Sequence, residues 1–397
     1  MRIVVLELSL KDLLYRKTLL RKELEQRLSL ESIRKAKGDY HARKPPRPCG
    51  MTVHSVVGCK YGCLYCYLPD MGISNAAHQP YGLTGEEMTY ALLSNPAFLP
   101  GRLGTFIAMG SVGEPFADEP SFSKTLEYLR TFSRYLGNPT QFSTKSTLSE
   151  AQVKALASIK LPLSPLVTII TLKHHLKLEP SAPLPSERLE SIKLLRKHGL
   201  FPILFLRPII PGVNTDEIDE LLSEARRNGA VGVVFGGLRV TPLILERLER
   251  AGFNTEPIIR RLRGQLKKGV QLPVDLADVK EDAVKIAREK GLVPFLSACC
   301  ANNYTAMIYD GLRAPCPGLD YVDGRFCTIC PVQCPNIETR VDEEEVREIV
   351  EKITSRQVLE VSVDDKFIHL RIKGKRRLTP VERALFEVGY RRKVIIH

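Results

Sequence analysis

Three cysteines, Cys59, Cys63 and Cys66, lie on one short stretch and are separated by three and then two residues. Thiolates at this spacing can bind three corners of a cubane iron–sulfur cluster and leave the fourth iron without a protein ligand. An iron with an open position can bind a substrate, so the spacing predicts a catalytic [4Fe-4S] cluster. Zinc is the alternative, because Cys-x2-Cys pairs also bind zinc, and Cys49 or His54 could then supply the fourth ligand.

Elements that can position this loop follow a regular pattern between about residues 50 and 240. Strands are predicted at 52–57, 103–109, 139–144, 166–172, 202–208 and 231–236, and helices at 121–136, 148–158, 186–198 and 215–228. This alternation is typical of parallel βα units with buried strands. About six units are too few for a closed eight-stranded barrel, so we predict an α/β fold with a partial (β/α)6 barrel. The cysteine loop would follow its first strand, at the ends where βα proteins carry their active sites.

Further motifs are predicted at the same ends of later strands. They are Ala108-Met-Gly-Ser-Val-Gly-Glu-Pro-Phe116, Ser143-Thr-Lys-Ser146, Leu178-Glu-Pro-Ser-Ala-Pro-Leu-Pro-Ser-Glu-Arg188, Arg207-Pro-Ile-Ile-Pro-Gly-Val-Asn214 and Gly237-Leu-Arg239. With the cysteine loop, these motifs resemble the radical S-adenosylmethionine (SAM) superfamily, and within it the spore photoproduct lyase-like family. The resemblance covers about residues 47–240, or half of the chain.

The resemblance implies a cluster bound by Cys59, Cys63 and Cys66 that cleaves SAM reductively to a 5′-deoxyadenosyl radical. An electron donor such as ferredoxin or flavodoxin would supply the electron. SAM contacts are implied at Tyr65, Gly113, Glu114, Ser143 and Lys145. The lyase carries a hydrogen-donor cysteine shortly before its Gly-Glu-Pro turn, whereas the corresponding stretch here, residues 110–112, has no thiol. The lyase's own reaction is therefore not expected.

A second group of cysteines follows the predicted barrel. Cys316, Cys327, Cys330 and Cys334 lie among prolines and glycines, and we predict that they bind a second metal centre, either a second [4Fe-4S] cluster or zinc. The segment distantly resembles the SPASM/twitch extensions of other radical SAM enzymes, and we expect it to place or tune the substrate. Cys299 and Cys300 end a strand predicted at 292–298. They could join the second site, donate hydrogen, or simply pack.

Composition and charge bear on the partners and the cellular location of the protein. Its formal net charge is +13, which would attract RNA or DNA, although a solvated basic surface explains the charge equally well. Two basic stretches with nearby aromatic residues, 373–377 and 390–393, are candidate nucleic-acid surfaces. No segment has the length and apolarity of a membrane span or the pattern of a leader peptide, so we expect no membrane partner and a cytoplasmic location.

We predict four parts of the chain from these patterns. They are an N-terminal helical and basic extension (1–48), the barrel (49–298), the cysteine-rich metal-binding segment (299–336) and a small basic α+β domain (337–397). The predicted function is a radical SAM enzyme that modifies or repairs a nucleic acid. A peptide- or protein-modifying radical SAM enzyme with an auxiliary cluster is the first alternative. A zinc-dependent nucleic-acid-binding protein without redox chemistry is the alternative from another class.

Overall fold

The computed structural model describes residues 5–47, 50–73, 78–374 and 377–397. Cys49, a suggested zinc ligand, and Lys375 and Arg376 of the basic tail lie outside the described residues. The helices are α1 Leu10–Arg27, α2 Leu30–Gly38, α3 Gly85–Ser94, α4 Glu119–Tyr135, α5 Glu150–Ala157, α6 His175–Leu178, α7 Pro185–Lys197, α8 Ile218–Arg227, α9 Pro242–Arg250, α10 Glu256–Ile259, α11 Ala277–Glu289, α12 Ala298–Asp310, α13 Asp320–Asp323, α14 Glu343–Thr354 and α15 Pro380–Tyr390. The strands are β1 Leu6–Glu7, β2 Met51–Val53, β3 Val56–Val57, β4 Gln79–Pro80, β5 Ile107–Met109, β6 Thr140–Thr144, β7 Leu163–Thr168, β8 Ile203–Ile209, β9 Gly232–Gly237, β10 Arg239–Val240, β11 Leu272–Pro273, β12 Val293–Phe295, β13 Thr339–Arg340, β14 Val358–Val363, β15 Phe367–Ile372 and β16 Lys393–Ile396.

A seven-stranded parallel sheet forms the centre of the fold, in the order β12-β9-β8-β7-β6-β5-β2. Within the described residues β2 and β12 lie at opposite edges of the sheet, so the barrel is open. The predicted partial barrel of βα units is therefore confirmed. The sheet has one strand more than the six predicted, because β12 adds to the edge of β9.

The two faces of this sheet are covered by different helices. Leu204 and Leu206 of β8 pack into the large core with α7 and α8, whereas Ile203 points to the other face and packs with Phe295 and Ala301. This second face, called the inner face below, is covered by α12 near the start of the strands. The first part of the cysteine-rich segment predicted at 299–336 is therefore this helix.

Two contacts fix where α12 crosses the inner face. The Asn302 amide donates to the Pro139 carbonyl at 3.1 Å, and Thr305 lies 3.1 Å from the Ser164 hydroxyl. Pro139 directly precedes β6 and Ser164 lies at the start of β7. Helix α12 therefore lies at the amino ends of the strands and leaves their carboxyl ends uncovered.

The N-terminal extension, which was predicted to be helical, forms two helices, α1 and α2. Ser29 interrupts it, because the Ser29 side chain accepts from the Ser32 backbone N–H and starts α2 as an N-cap. Strand β1 pairs with β13 of the C-terminal part, and Leu10 of α1 is fully buried in the core of that part. A Cβ on Gly389 would lie 2.8 Å from Leu10, so α1 and α15 pack closely only with glycine there. No helix in the described ranges has the length and apolarity to span a bilayer.

The C-terminal part is a three-stranded sheet, β14-β15-β16, packed with α14 and α15. The prediction of a nucleic-acid surface at 390–393 is wrong for its first three residues, because Tyr390, Arg391 and Arg392 are 0%, 1% and 2% exposed. The guanidinium of Arg391 donates to backbone carbonyls, including those of Leu103 and Gly104 before the barrel strand β5. Arg391 therefore joins the C-terminal part to the barrel.

Candidate active site

The cysteine loop leaves β3 and lies against the turn that follows β5. The Gly58 N–H donates to the Val112 carbonyl at 2.8 Å, and Gly58 and Gly113 form a parallel bridge. A Cβ on Gly113 would lie 2.5 Å from the Val56 carbonyl oxygen. Only glycine permits this close approach, so Gly113 brings the predicted cofactor turn to the base of the cysteine loop.

The loop itself is held by backbone contacts around its cysteines. The Cys66 N–H donates to the Cys63 carbonyl at 3.0 Å, and Arg247 donates to the Cys66 carbonyl at 2.7 Å. Burial raises the pKa of the Cys59 thiol to about 11 and that of Cys63 to about 12. A metal that binds here must displace these thiol protons. Three thiols on one braced loop are the donor set that a cubane cluster uses.

Lys145 places a buried ammonium beside this loop. Its Nζ lies 5.5 Å from the centre of the Tyr65 ring and makes no hydrogen bond or ion pair with any described residue. Burial lowers the Lys145 pKa, but interactions with the Cys63 sulfur and the Glu179 carboxylate outweigh this effect and hold the pKa above its ordinary value. A buried cation without a direct partner fits an anionic ligand at this position, such as the carboxylate of SAM.

Glu114 holds the end of β6 in place. Its carboxylate accepts from the Lys145 N–H at 2.9 Å, from the Ser146 hydroxyl at 3.1 Å and from the Thr144 hydroxyl. Burial raises the Glu114 pKa despite these donors. Because both oxygens are occupied, Glu114 orients Lys145 and does not offer a free charge.

Ser143 and the turn after β5 meet directly at the same strand end. The Ser143 hydroxyl lies 3.4 Å from the Gly110 carbonyl oxygen, and a Cβ on Gly110 would lie 2.4 Å from the Ser143 carbonyl oxygen. The five predicted SAM-contact residues therefore belong to the cysteine loop or to the two strand ends beside it.

A buried ion pair holds the Tyr65 hydroxyl, and no role was predicted for its two members. The Tyr65 hydroxyl donates to Glu179, and Arg188 donates to the other Glu179 oxygen at 2.6 Å. Both charged side chains are 0% exposed. Arg188 also donates to the Thr168 and Pro183 carbonyls. The signal for this pair was present in sequence, as two opposite charges among apolar and proline residues.

Other residues brace the site and were also missed. His78 contacts the Gly58 carbonyl at 3.1 Å and the Ser121 hydroxyl at 2.9 Å. Asn214 donates to the Ile170 carbonyl at 2.8 Å, which ties the ends of β7 and β8 together. Polar side chains that hydrogen-bond to backbone groups of distant segments do not produce a periodic pattern in the sequence, so they could not be predicted from it.

His54, the second suggested zinc ligand, packs among aromatic side chains. Its ring stacks on Tyr40 with centroids 5.7 Å apart and contacts His41 and Tyr81. Burial lowers the His54 pKa to about 4. Within the described ranges, no set of three or more clustered metal-ligand atoms includes His54.

Two cationic residues lie together at the carboxyl ends of β8 and β9. Arg207 follows Ile203 and Phe205 on the inner face, and a Cβ on Gly236 would lie 2.5 Å from the Arg207 side chain. The Lys280 Nζ is 3.8 Å from the position of a Cβ on Gly237. Burial and the charge of Arg207 lower the Lys280 pKa. Both cationic residues therefore lie at the carboxyl ends of the strands, called the barrel mouth below, at the same end as the cysteine loop, and Asp275 supplies an opposite charge near Lys280.

The second group of cysteines lies at the opposite end of the sheet. Cys299 and Cys316 pack against Phe106, which directly precedes β5. Strand β12 pairs with the first three residues of β9 and therefore ends near the amino end of that strand. Cys299 and Cys300, which follow β12, are thus far from the carboxyl ends of the strands, where the cysteine loop lies. Neither hydrogen donation to a substrate nor placement of a substrate fits this position.

The four cysteines predicted to bind a second metal are arranged around one small cavity. Cys316, Cys327, Cys330 and Cys334 line it together with Cys300 and Asp320. Among the described residues, the set whose ligand atoms all lie within 4.8 Å of one another contains one of the four, Cys316, together with Cys299, Cys300 and Asp320. The predicted four-thiolate set therefore stays a prediction.

Comparisons with known proteins agree with this geometry. The radical SAM superfamily matches residues 53–225, which run from β2 to α8. No curated protein sequence matches the chain. A cysteine-to-serine mutant of spore photoproduct lyase is similar in structure, with a TM-score of 0.52 and 15% identity over 63% of this chain and 78% of that chain. A lyase mutant with bound AdoMet and dinucleoside spore photoproduct gives a TM-score of 0.52 and 14% identity over 66% of this chain and 83% of that chain.

Streptococcus suis SuiB is a weaker structural neighbour, with a TM-score of 0.39 and 15% identity over 66% of this chain and 52% of that chain. A similarity of that size supports no conclusion about substrate. The superfamily match supports radical SAM chemistry rather than a zinc-binding protein without redox chemistry, and the superfamily implies a [4Fe-4S] cluster and SAM. The chain carries a radical SAM superfamily domain at residues 53–225 and is an enzyme of this class.

Proposed function

We propose that this radical SAM enzyme modifies or repairs a nucleic acid, RNA or DNA. The observation that carries the proposal is that two cationic residues, Arg207 and Lys280, lie at the carboxyl ends of β8 and β9, the end of the sheet that also holds the cysteine loop. Positive charge at this end of the sheet attracts an anionic ligand. A phosphodiester backbone supplies such anions along its whole length, and the net charge of +13 favours the same class of ligand.

The residues of the cysteine loop have distinct proposed roles. Cys59, Cys63 and Cys66 would bind three irons of the cluster, which with SAM supplies a radical that abstracts hydrogen from the substrate. Lys145 would bind the SAM carboxylate, and Glu114 holds Lys145 in position through its backbone N–H. Gly113 and Ser143 would contact SAM from the neighbouring strand ends, beside the Tyr65 ring. The electron would come from a small donor protein such as a ferredoxin or flavodoxin.

The structural neighbour with a bound dinucleoside photoproduct supports a nucleic-acid substrate for a barrel of this kind. One difference limits the analogy. Residues Gly110, Ser111 and Val112 place no thiol before the Gly113-Glu114 turn, so this chain lacks a hydrogen donor there. We therefore propose a reaction on nucleic acid that differs from the lyase's own.

Replacing Lys145 by methionine should weaken SAM binding and leave the cluster in place. The ammonium is assigned to the SAM carboxylate and not to iron, and a charged hydrogen bond contributes about 1.5–3 kcal/mol, or roughly tenfold to a hundredfold in affinity. Isothermal titration with SAM, together with iron and sulfide analysis, measures both effects. Lys145→Arg, which keeps the charge, is the matched control and should recover part of the affinity. Unchanged SAM affinity in Lys145→Met would remove this residue from the site.

Replacing Arg207 and Lys280 by glutamine should weaken nucleic-acid binding in a salt-dependent way. Each lost phosphate contact to a single strand lowers the slope of log K against log salt by about 0.7, so the double variant should lose about 1.4. Fluorescence anisotropy with a labelled single-stranded oligonucleotide at several salt concentrations measures this slope. Lys193→Gln, on the outer face of α7, is the control, because it removes a charge away from the mouth. A slope equal to that of the native protein would contradict the proposed substrate class.

A further inference from the structure

Four possible metal ligands meet where α12 begins. The ligand atoms of Cys299, Cys300, Cys316 and Asp320 all lie within 4.8 Å of one another. The Cys316 and Cys299 sulfurs are 3.8 Å apart, and the Cys300 sulfur is 3.7 Å from an Asp320 oxygen. They come from α12, from the loop after it and from α13, so the fold and not the local sequence brings them together.

These distances fit ligands of one tetrahedral ion. Zinc–sulfur bonds of about 2.3 Å in a tetrahedron place two sulfurs about 3.8 Å apart. A disulfide requires about 2.05 Å. In a cubane cluster each cysteine binds a different iron, so the cysteine sulfurs lie farther apart than around one ion. Cys300, Cys316 and Asp320 also line a cavity of about 20 Å³, which is room for about one water-sized occupant, while Cys299 lies behind them and does not line it.

A buried cation beside the cluster is a second, independent observation. Arg391 is 1% exposed and forms no ion pair with a carboxylate among the described residues. Its guanidinium donates to the Leu103, Gly104 and Val388 carbonyls. A buried charge without a counter-charge is costly. Three thiolates and one carboxylate around a divalent ion carry surplus negative charge. Arg391 lies where it can offset that charge, since its guanidinium is 5.8 Å from the centre of the Phe106 ring, which packs against Cys299 and Cys316.

We propose that Cys299, Cys300, Cys316 and Asp320 bind one zinc ion. The ion fixes the first turn of α12 to the loop at Cys316 and to α13, at the amino ends of the barrel strands. Its role is structural, because the barrel mouth lies at the other end of the sheet. The proposal is independent of the nucleic-acid function. Cys327, Cys330 and Cys334 line the same cavity, but they do not belong to the set of ligand atoms within 4.8 Å of one another and are not ligands of this ion.

The test uses cobalt as a spectroscopic probe in the full-length chain carrying Cys59→Ala, Cys63→Ala and Cys66→Ala, so that no iron from the first site interferes. Tetrahedral cobalt bound by thiolates shows charge-transfer absorption that scales with the number of thiolates. We expect one cobalt per chain, displaced by zinc. Cys299→Ser and Cys300→Ser should each remove about one third of the charge-transfer intensity and weaken zinc binding at least tenfold against a competing chelator.

Cys327→Ser and Cys330→Ser are the matched controls and should keep both the spectrum and the zinc affinity. The opposite pattern, with loss in these two variants and retention in Cys299→Ser and Cys300→Ser, would overturn the proposal in favour of the four-thiolate set. Iron with acid-labile sulfide in the triple-alanine background would replace the single ion with a cluster. A Cys299–Cys316 disulfide, or absence of any metal in native protein that far-ultraviolet circular dichroism shows to be folded, would equally refute it. Asp320→Asn, which keeps all thiols, should retain the full charge-transfer intensity but bind zinc more weakly, and so reports on the site even if a cysteine variant misfolds.

Discussion

Replacing Cys59, Cys63 and Cys66 together by alanine should abolish reductive cleavage of SAM. These are the proposed protein anchors of the catalytic cluster, and without them no iron is presented to SAM. Iron should fall by about four atoms per chain in anaerobically reconstituted protein, the content of one cubane. Chromatographic detection of 5′-deoxyadenosine after reduction with dithionite, combined with iron analysis, measures both losses.

Lys60→Ala is the matched control for this experiment. Lys60 lies on the same loop between Cys59 and Cys63, but its side chain is half exposed and pairs only with Asp118 at 3.4 Å. The variant should keep its iron and its cleavage activity. Cleavage of SAM that persists in the triple variant would show that the cysteine loop is not the catalytic centre.

Replacing Arg188 by methionine should destabilise the protein by about 3–5 kcal/mol. Arg188 and Glu179 form an ion pair with both side chains 0% exposed, and removal of one partner leaves the other charge buried and uncompensated. The loss should also disturb Tyr65, since Glu179 accepts from its hydroxyl. Urea unfolding followed by circular dichroism measures the change in free energy of unfolding.

Two further variants make this prediction specific. Arg196→Met changes an exposed arginine of the same helix, α7, and should shift the free energy of unfolding by less than about 1 kcal/mol. Glu179→Gln combined with Arg188→Met removes both charges and should cost less than the sum of the single changes, because neither charge is then left alone. Additive losses in the double variant would show that the two residues are not coupled.

The alternation of apolar strands and amphipathic helices was sufficient to predict the barrel. Both ends of helix α7 and of strand β8 were predicted to within one residue. Their apolar residues recur at clear helix and strand periods, and Gly199 and Pro202 separate the two elements. Helix α3 was missed for the opposite reason. Met88, Tyr90, Leu92 and most of their neighbours in α3 are buried, so the segment shows no polar face. Its capping box, Thr84 with Glu87, was the available signal.

The site was predictable only where its chemistry is local in sequence. The spacing of Cys59, Cys63 and Cys66 is sufficient to predict their role. The hydrogen bond from the Lys145 N–H to Glu114 joins the ends of two neighbouring strands and corresponds to no sequence pattern. The sequence could not choose among the three roles left open for Cys299 and Cys300, because the sequence of a strand does not reveal at which end of the sheet it lies. Strand β12 pairs with Gly232–Val234, the first half of β9, and so ends near the amino side. Arg391 and Arg392 were wrongly predicted to lie at a nucleic-acid surface. Their guanidinium groups donate to backbone carbonyls in the interior instead.

The packing of α1 against the C-terminal part has a consequence for the order of folding on the ribosome. The Lys11 N–H donates to Glu345, 334 positions later in the chain, and Leu10 is buried beside Gly389. Residues leave the ribosome at about 5–20 per second, so α1 emerges tens of seconds before its partners exist. During that time the apolar side of α1 has only the early barrel elements to contact, notably α3. Because α1 packs against residues more than 330 positions later in the chain, it can dock only after synthesis is nearly complete. Nascent chains stalled before residue 340 would expose Leu10 to chaperones.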